Sequence, residues 1–230
     1  MRESAGFANI EILQFSGYPS FASEIMKIQL RLPRLVLLSV ITLALSLSLP
    51  VLLPVSADDV PDALRPPKGT PTALVVFEDL QCPQCGRVAP LLDQASRTYK
   101  IPLVQHDFPL PMHNWSFDAA VIARYFDTHS KELGNQFRLA VFENQTAIVS
   151  PPAMHAFAAK FASDHKLSLP FAVDKDPKLI ALVNADRDLG ISLHIDHTPT
   201  IWIVSSKHPE KPFVEVKDTT QLYVMIDAMK

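Results

Sequence analysis

The chain has 230 residues, a formal charge of −3 and a hydrophobic fraction of 48%. That balance describes an ordinary globular protein with no basic surplus to meet a phosphate backbone, so nucleic-acid binding is not expected. Its 2 cysteines are too few to staple a chain of this size, which leaves stability to a packed core and the thiols to another use.

From Leu35 to Ala57 there is no charged residue; Lys27, Arg31 and Arg34 stand in front, and Val55-Ser56-Ala57 precedes Asp58-Asp59. Basic, then apolar, then small is the order of a secretory signal peptide. A run of about 20 apolar residues also suits a membrane anchor, although Pro50 and Pro54 weigh against a continuous spanning helix. Either reading predicts an exported, periplasmic or otherwise extracytoplasmic protein. Met26-Lys27 makes a better start than Met1, so residues 1–25 read as a prefix. The expected organisation is a prefix with signal or anchor over 1–57, an extended leader rich in proline and charge over 58–70, and one folded domain over 71–230.

Thr72 to Phe77 is a short β-prone apolar run that predicts a buried strand. Cys82-Pro-Gln-Cys85 follows, with Pro83 suited to the first turn of a helix. Val88, Leu91, Leu92 and Ala95 continue at helical spacing, and Pro90 predicts a kink. Ile101 to Phe108 reads as a second strand. Three apolar stripes then predict helices: Trp115, Ala119, Ile122 and Phe126; Leu133, Phe137, Ala140 and Val141; Met154, Phe157, Ala158 and Phe161. A fourth helix runs from Pro177 to Leu189 with Gly190 as its C-cap. Thr200–Val204 and Phe213–Val216 read as strands, and Thr219–Met229 as a final helix. The helical block occupies about 112–190.

Two thiols one helical turn apart can form a small disulfide, half of a metal site, or a redox pair. A structural disulfide closing so small a loop restricts little of the unfolded chain. A zinc site needs four ligands, and the other compact pair is His194-x-x-His197. At a helix start, unpaired N–H groups and the dipole favour an anion, so Cys82 is expected to be the attacking thiolate and Cys85 the resolving thiol.

Phe77-Glu-Asp-Leu-Gln-Cys-Pro-Gln-Cys85 after a strand, His106-Asp-Phe-Pro-Leu110 after the second strand, a block of helices, and Thr198-Pro199-Thr200 before the third together resemble the DsbA-like class of thioredoxin-fold proteins. The resemblance spans Thr72 to the C-terminus. It implies an α/β thioredoxin fold, a central mixed sheet flanked by helices with the helical block inserted between the second and third core strands. It also implies a thiol:disulfide oxidoreductase that needs no cofactor and no metal, most simply a disulfide donor. Cys82 then corresponds to the nucleophile, Cys85 to the resolving cysteine and Pro199 to the cis-proline. Thr198 corresponds to the residue whose main chain pairs with an extended substrate.

The pattern departs from the strong oxidants of that class at Gln84, where a histidine stands, and this predicts a less depressed Cys82 pKa. His197 is expected near the sulfurs as a partial substitute, and Glu78 or Asp79 as a proton acceptor for Cys85. The implied partners are cysteine-containing exported proteins and a membrane, quinone-linked redox partner. The leader is too short for a dimerisation domain, so a monomer is expected. The rivals are a disulfide reductase or isomerase, and a copper or zinc carrier using Cys82, Cys85, His194 and His197. His106, His113, His155 and His165 are read as surface or satisfied histidines.

Overall fold

The computed structural model describes residues 60–230. The signal or anchor and the prefix lie outside the described residues. Among the described residues no helix is long and apolar enough to cross a membrane.

The elements follow in chain order as β1 (Thr72–Glu78), α1 (Pro83–Tyr99), β2 (Leu103–Asp107), α2 (Ser116–His129), α3 (Lys131–Glu143), α4 (Pro151–Asp164), α5 (Pro177–Ser192), β3 (Thr200–Ser205), β4 (Phe213–Glu215) and α6 (Leu222–Met229). The strands form one sheet in the order β2-β1-β3-β4. β1 pairs parallel with β2, with Leu74 opposite Leu103, and antiparallel with β3, with Val75 opposite Trp202. A parallel pair needs a crossover, which α1 supplies. The sheet is therefore mixed, and the helical block enters between β2 and β3, as the resemblance implied.

All of β1 is buried, because helices or docked chain cover both of its faces. Leu74 and Val76 pack with Leu92 and Ala95 of α1 and with Leu222 and Ile226 of α6. Ala73, Val75 and Phe77 face the other way, toward Phe108, Trp202 and Val204. A further core fills the inserted helices, with Ile122, Phe126, Phe137, Val141 and Met154. Cys82, Cys85 and Ala89 belong to this last core, so the thiols rest against the insertion. Three of its four helices begin on side-chain caps: Ser130 Oγ accepts from Leu133 N, Ser150 Oγ from Ala153 N, and Asp176 from Lys178 N and Leu179 N.

Two local expectations are corrected, those for the 58–70 segment and for Gly190. The described part of the 58–70 segment is not merely extended: Asp62–Leu64 forms a 3₁₀ turn, and Val60 and Leu64 are buried against Val75 and Phe77. α1 continues through Pro90, whose ring lies on an exposed face. α5 does not stop at Gly190 but runs on to Ser192. The glycine serves there as a close-approach point, since a Cβ would stand 2.5 Å from Phe108 Cε2.

Candidate active site

β1 ends at Glu78, and the chain turns through residues 79–81 to deliver Cys82 as the N-cap of α1, with Pro83 at the first helical position. The turn is held by Asp79. Its Oδ1 accepts from Gln81 N at 2.7 Å and Cys82 N at 3.1 Å; its Oδ2 accepts from Leu110 N at 2.6 Å and meets His113 Nδ1 at 2.8 Å. Asp79 is thus spent on fixing two loops, not free to take a proton from Cys85. From the far side Gln145, in the connection after α3, donates through Nε2 to the carbonyls of Leu80 at 2.8 Å and Cys82 at 2.9 Å. Gly86 makes room for it, because a Cβ there would stand 2.7 Å from Gln145 Oε1.

Both thiols are free and buried, with Cys82 7% and Cys85 2% exposed. Cys82 Sγ lies 3.4 Å from the Thr198 carbonyl oxygen, and Cys85 Sγ accepts from Asp79 N at 3.5 Å. The Thr198–Pro199 peptide bond is cis.

The two sulfurs titrate in opposite directions. The Cys82 pKa is lowered to about 5, first by the hydrogen bond from the Cys85 thiol; burial opposes this, and the Thr198 side chain and the backbone N–H groups of Cys85 and Gln84 reinforce it. Among the described residues Thr198 Oγ1 is buried with no hydrogen-bond partner, and it is one of the groups that lower the Cys82 pKa. Burial pushes the Cys85 thiol up, and Cys82 and the Glu78 charge add to the rise. Cys82 is therefore ionised at neutral pH and Cys85 is not.

The remaining predicted residues divide sharply. Gln84 acts on Cys82 through its backbone N–H, while its side chain accepts from Arg87 Nε at 2.8 Å. His197 is exposed, meets Asp196 Oδ1 at 2.6 Å and lines the groove beside Thr198 and Pro199. The groups that lower the Cys82 pKa most are Cys85, Thr198 and main-chain donors. Among the described residues, no cluster of three metal-ligating groups includes Cys82 or Cys85, so His194 and His197 do not complete a metal site with them.

Glu78 is 3% exposed. Its carboxyl is pushed up to about 8 by burial; Arg138 pulls the other way and the charge of Asp107 adds to the rise. Glu78 Oε1 accepts from Gln105 Nε2 at 3.2 Å and lies 3.9 Å from Arg138 Nε. Arg138, also buried, bridges Asp107 and Asp127, and those carboxylates hold its pKa above the usual arginine value despite burial. The sequence reading missed Gln145 and Arg138. Arg138 sits in the stripe of Phe137 and Val141, where a charged residue is ordinarily assigned to the solvent face.

A groove of about 500 Å³ runs beside the thiol helix, lined by Gln84, Val88, His197, Thr198, Pro199 and Lys217 among others. It brings the cis-proline loop and the residues around Cys82 to one surface. A second depression of about 540 Å³ opens over Gln105 and Arg138, next to Glu78.

The thioredoxin family model matches residues 67–219. Solved structures with the same fold include a variant of Wolbachia pipientis alpha-DsbA1 (17% identity, 76% of this chain and 96% of that one, TM-score 0.60). The Wolbachia pipientis thiol-disulfide exchange protein alpha-DsbA2 matches at 20% identity over 72% and 86% of the two chains, TM-score 0.56. Pseudomonas aeruginosa DsbA2 matches at 19% identity over 74% and 96%, TM-score 0.54. No curated protein matches the chain. With the family model covering most of its length, on a four-stranded sheet interrupted by a helical block, the chain belongs to the thioredoxin family and has the DsbA-like form of the fold.

Proposed function

We propose that the chain is a thiol:disulfide oxidoreductase that donates disulfides to cysteine-containing exported proteins. The observation that carries this reading is the split between the sulfurs: Cys82 is drawn down to about 5 at a helix N-cap, and Cys85 is raised and buried. A stabilised thiolate favours the reduced form, which makes the corresponding disulfide oxidising. In the donor direction a substrate thiolate attacks Cys82 Sγ, the Cys82–Cys85 bond breaks, and Cys85 leaves as a thiolate that takes a proton. A second substrate thiolate then attacks the substrate sulfur of the mixed disulfide. Cys82 departs as the better leaving group, and two electrons have passed from the substrate to the pair.

Glu78 is the proton donor and acceptor for Cys85 in this scheme, since a carboxyl near pH 8 changes state readily at neutral pH. Gln105, bonded to Glu78 and lining the outer depression, supports proton exchange with solvent. Thr198, Pro199 and the adjoining groove receive the extended substrate segment. The protein works as a monomer outside the cytoplasm, supported by the basic–apolar–small order of residues 27–57. A membrane redox partner that accepts the two electrons restores the disulfide.

The reduction potential tests the direction. Equilibration with glutathione buffers, read by alkylation of free thiols, is expected to fall nearer the about −120 mV of a strong oxidant than the about −270 mV of thioredoxin. A value at the lower end would make the chain a reductant. Loss of catalysed thiol–disulfide exchange in Cys82→Ala is required on either reading.

A further inference from the structure

The helical insertion brings together Asp118 of α2, His155 of α4 and Asp174 of the 3₁₀ turn Val173–Lys175. One ligand-capable atom from each lies within 4.8 Å of the other two. His155 Nε2 is 3.7 Å from Asp118 Oδ2 and 3.8 Å from Asp174 Oδ2, too far for a hydrogen bond to either. Among the described residues neither carboxylate accepts a hydrogen bond or pairs with a lysine or arginine; each faces His155 alone.

We propose that Asp118, His155 and Asp174 form a site for one divalent transition-metal ion of the zinc class, binding the three elements of the insertion to one another. Bonds of about 2.0–2.2 Å to nitrogen and oxygen place neighbouring ligand atoms about 3.3–3.5 Å apart in a tetrahedron, so His155 need close on each carboxylate by only a few tenths of an ångström, and the two carboxylates start within 4.8 Å of each other. An imidazole with two carboxylates suits zinc and its neighbours better than the all-oxygen preferences of calcium or magnesium. His155 and Asp174 also line a groove of about 530 Å³ that carries the exposed Phe171, which leaves room for water at a fourth position. The site is independent of the thiol chemistry, because it uses neither cysteine. The sequence reading took His155 for a surface or satisfied histidine, since its partners come from elements far apart in the chain.

The test uses the oxidised protein, in which a Cys82–Cys85 disulfide removes both thiols as competing ligands. Titration with Zn²⁺ by calorimetry is expected to show one equivalent bound, with the dissociation constant raised at least tenfold in His155→Ala and in Asp174→Asn. Co²⁺ is expected to give visible d–d absorption with no thiolate charge-transfer band, and Zn²⁺ to raise the Tm of the parent protein but not of the variants. Because the two substitutions lie in separate elements, misfolding of one, read by circular dichroism, leaves the other as the test. Absence of saturable binding by the oxidised parent, or unchanged affinity in a folded variant, overturns the proposal.

Discussion

Cys85→Ala isolates what lowers the Cys82 pKa. The largest influence on Cys82 is the hydrogen bond from the Cys85 thiol, ahead of Thr198 and the helix N–H groups. A hydrogen bond to a charged group contributes about 1.5–3 kcal/mol, and one pKa unit corresponds to about 1.4 kcal/mol. Removing the donor should therefore raise the Cys82 midpoint from about 5 by about 1–2 units. The remaining donors keep it below the ordinary thiol value. Thiolate ultraviolet absorbance, followed against pH in the reduced parent and the variant, reads the shift directly. The sign also fixes a stability trend: a depressed thiol pKa stabilises the reduced fold fully above its unfolded value of 9.0, and this is lost as pH falls through about 5. Within the reduced state, where the opposing Glu78 contribution is common to both proteins, the parent should accordingly lose more stability than Cys85→Ala as acid is added between those limits. An unchanged midpoint in Cys85→Ala would refute the reasoning and assign the shift to the helix terminus and Thr198.

Glu78 works in the opposite sense, because its carboxyl is raised from 4.5 to about 8 and costs stability as pH rises through that interval; in the oxidised protein, where Cys82 no longer titrates, Glu78→Gln should show a flatter denaturant midpoint against pH, and parallel profiles would remove Glu78 from the account. The same variant should slow resolution of a mixed disulfide by about 10²-fold or more, measured by quenched-flow alkylation. Arg138→Met removes the buried guanidinium that bridges Asp107 and Asp127 while Arg124 still pairs with both, and should cost about 1.5–3 kcal/mol in urea denaturation, with no measurable cost contradicting the network. Gly190→Ala drives a methyl to 2.5 Å from Phe108 and 3.2 Å from Phe77. It should cost about 1–3 kcal/mol by overpacking, whereas a neutral result would mean that α5 shifts away from the sheet freely.

What was legible in the sequence was what repeats or sits locally. The β1 run, the Pro83 start of α1 and the apolar stripes of α2, α3 and α4 each declare themselves within a dozen residues, and their positions follow. Gly190 misled because a glycine near the end of a periodic run signals a cap, while its actual role depends on Phe108, far away in the chain. Val60 and Leu64 were hidden among prolines and charges; two isolated apolar residues carry no period, yet both find the face of β1 that holds Val75 and Phe77. His197 was assigned a place by its neighbour Pro199 and does line the groove beside it, but its contact with Asp196 could not be read from the sequence pattern.

The insertion emerges as part of the redox site and not merely an appendage to it. Cys82 and Cys85 share a core with Phe137, Val141 and Met154, which belong to the inserted helices. The burial that raises Cys85 therefore comes partly from chain that the four-stranded sheet alone does not provide. Gln145, just beyond α3, carries the same dependence in polar form: two hydrogen bonds to the carbonyls of Leu80 and Cys82 fix the turn that presents the thiolate. Arg138 of α3 adds a third link by setting the field around Glu78. Packing, turn geometry and proton affinity at the pair thus all pass through α3 and its following loop. A change in how α3 docks on α1 should alter thiolate stability and proton transfer together, even where neither cysteine moves along the chain.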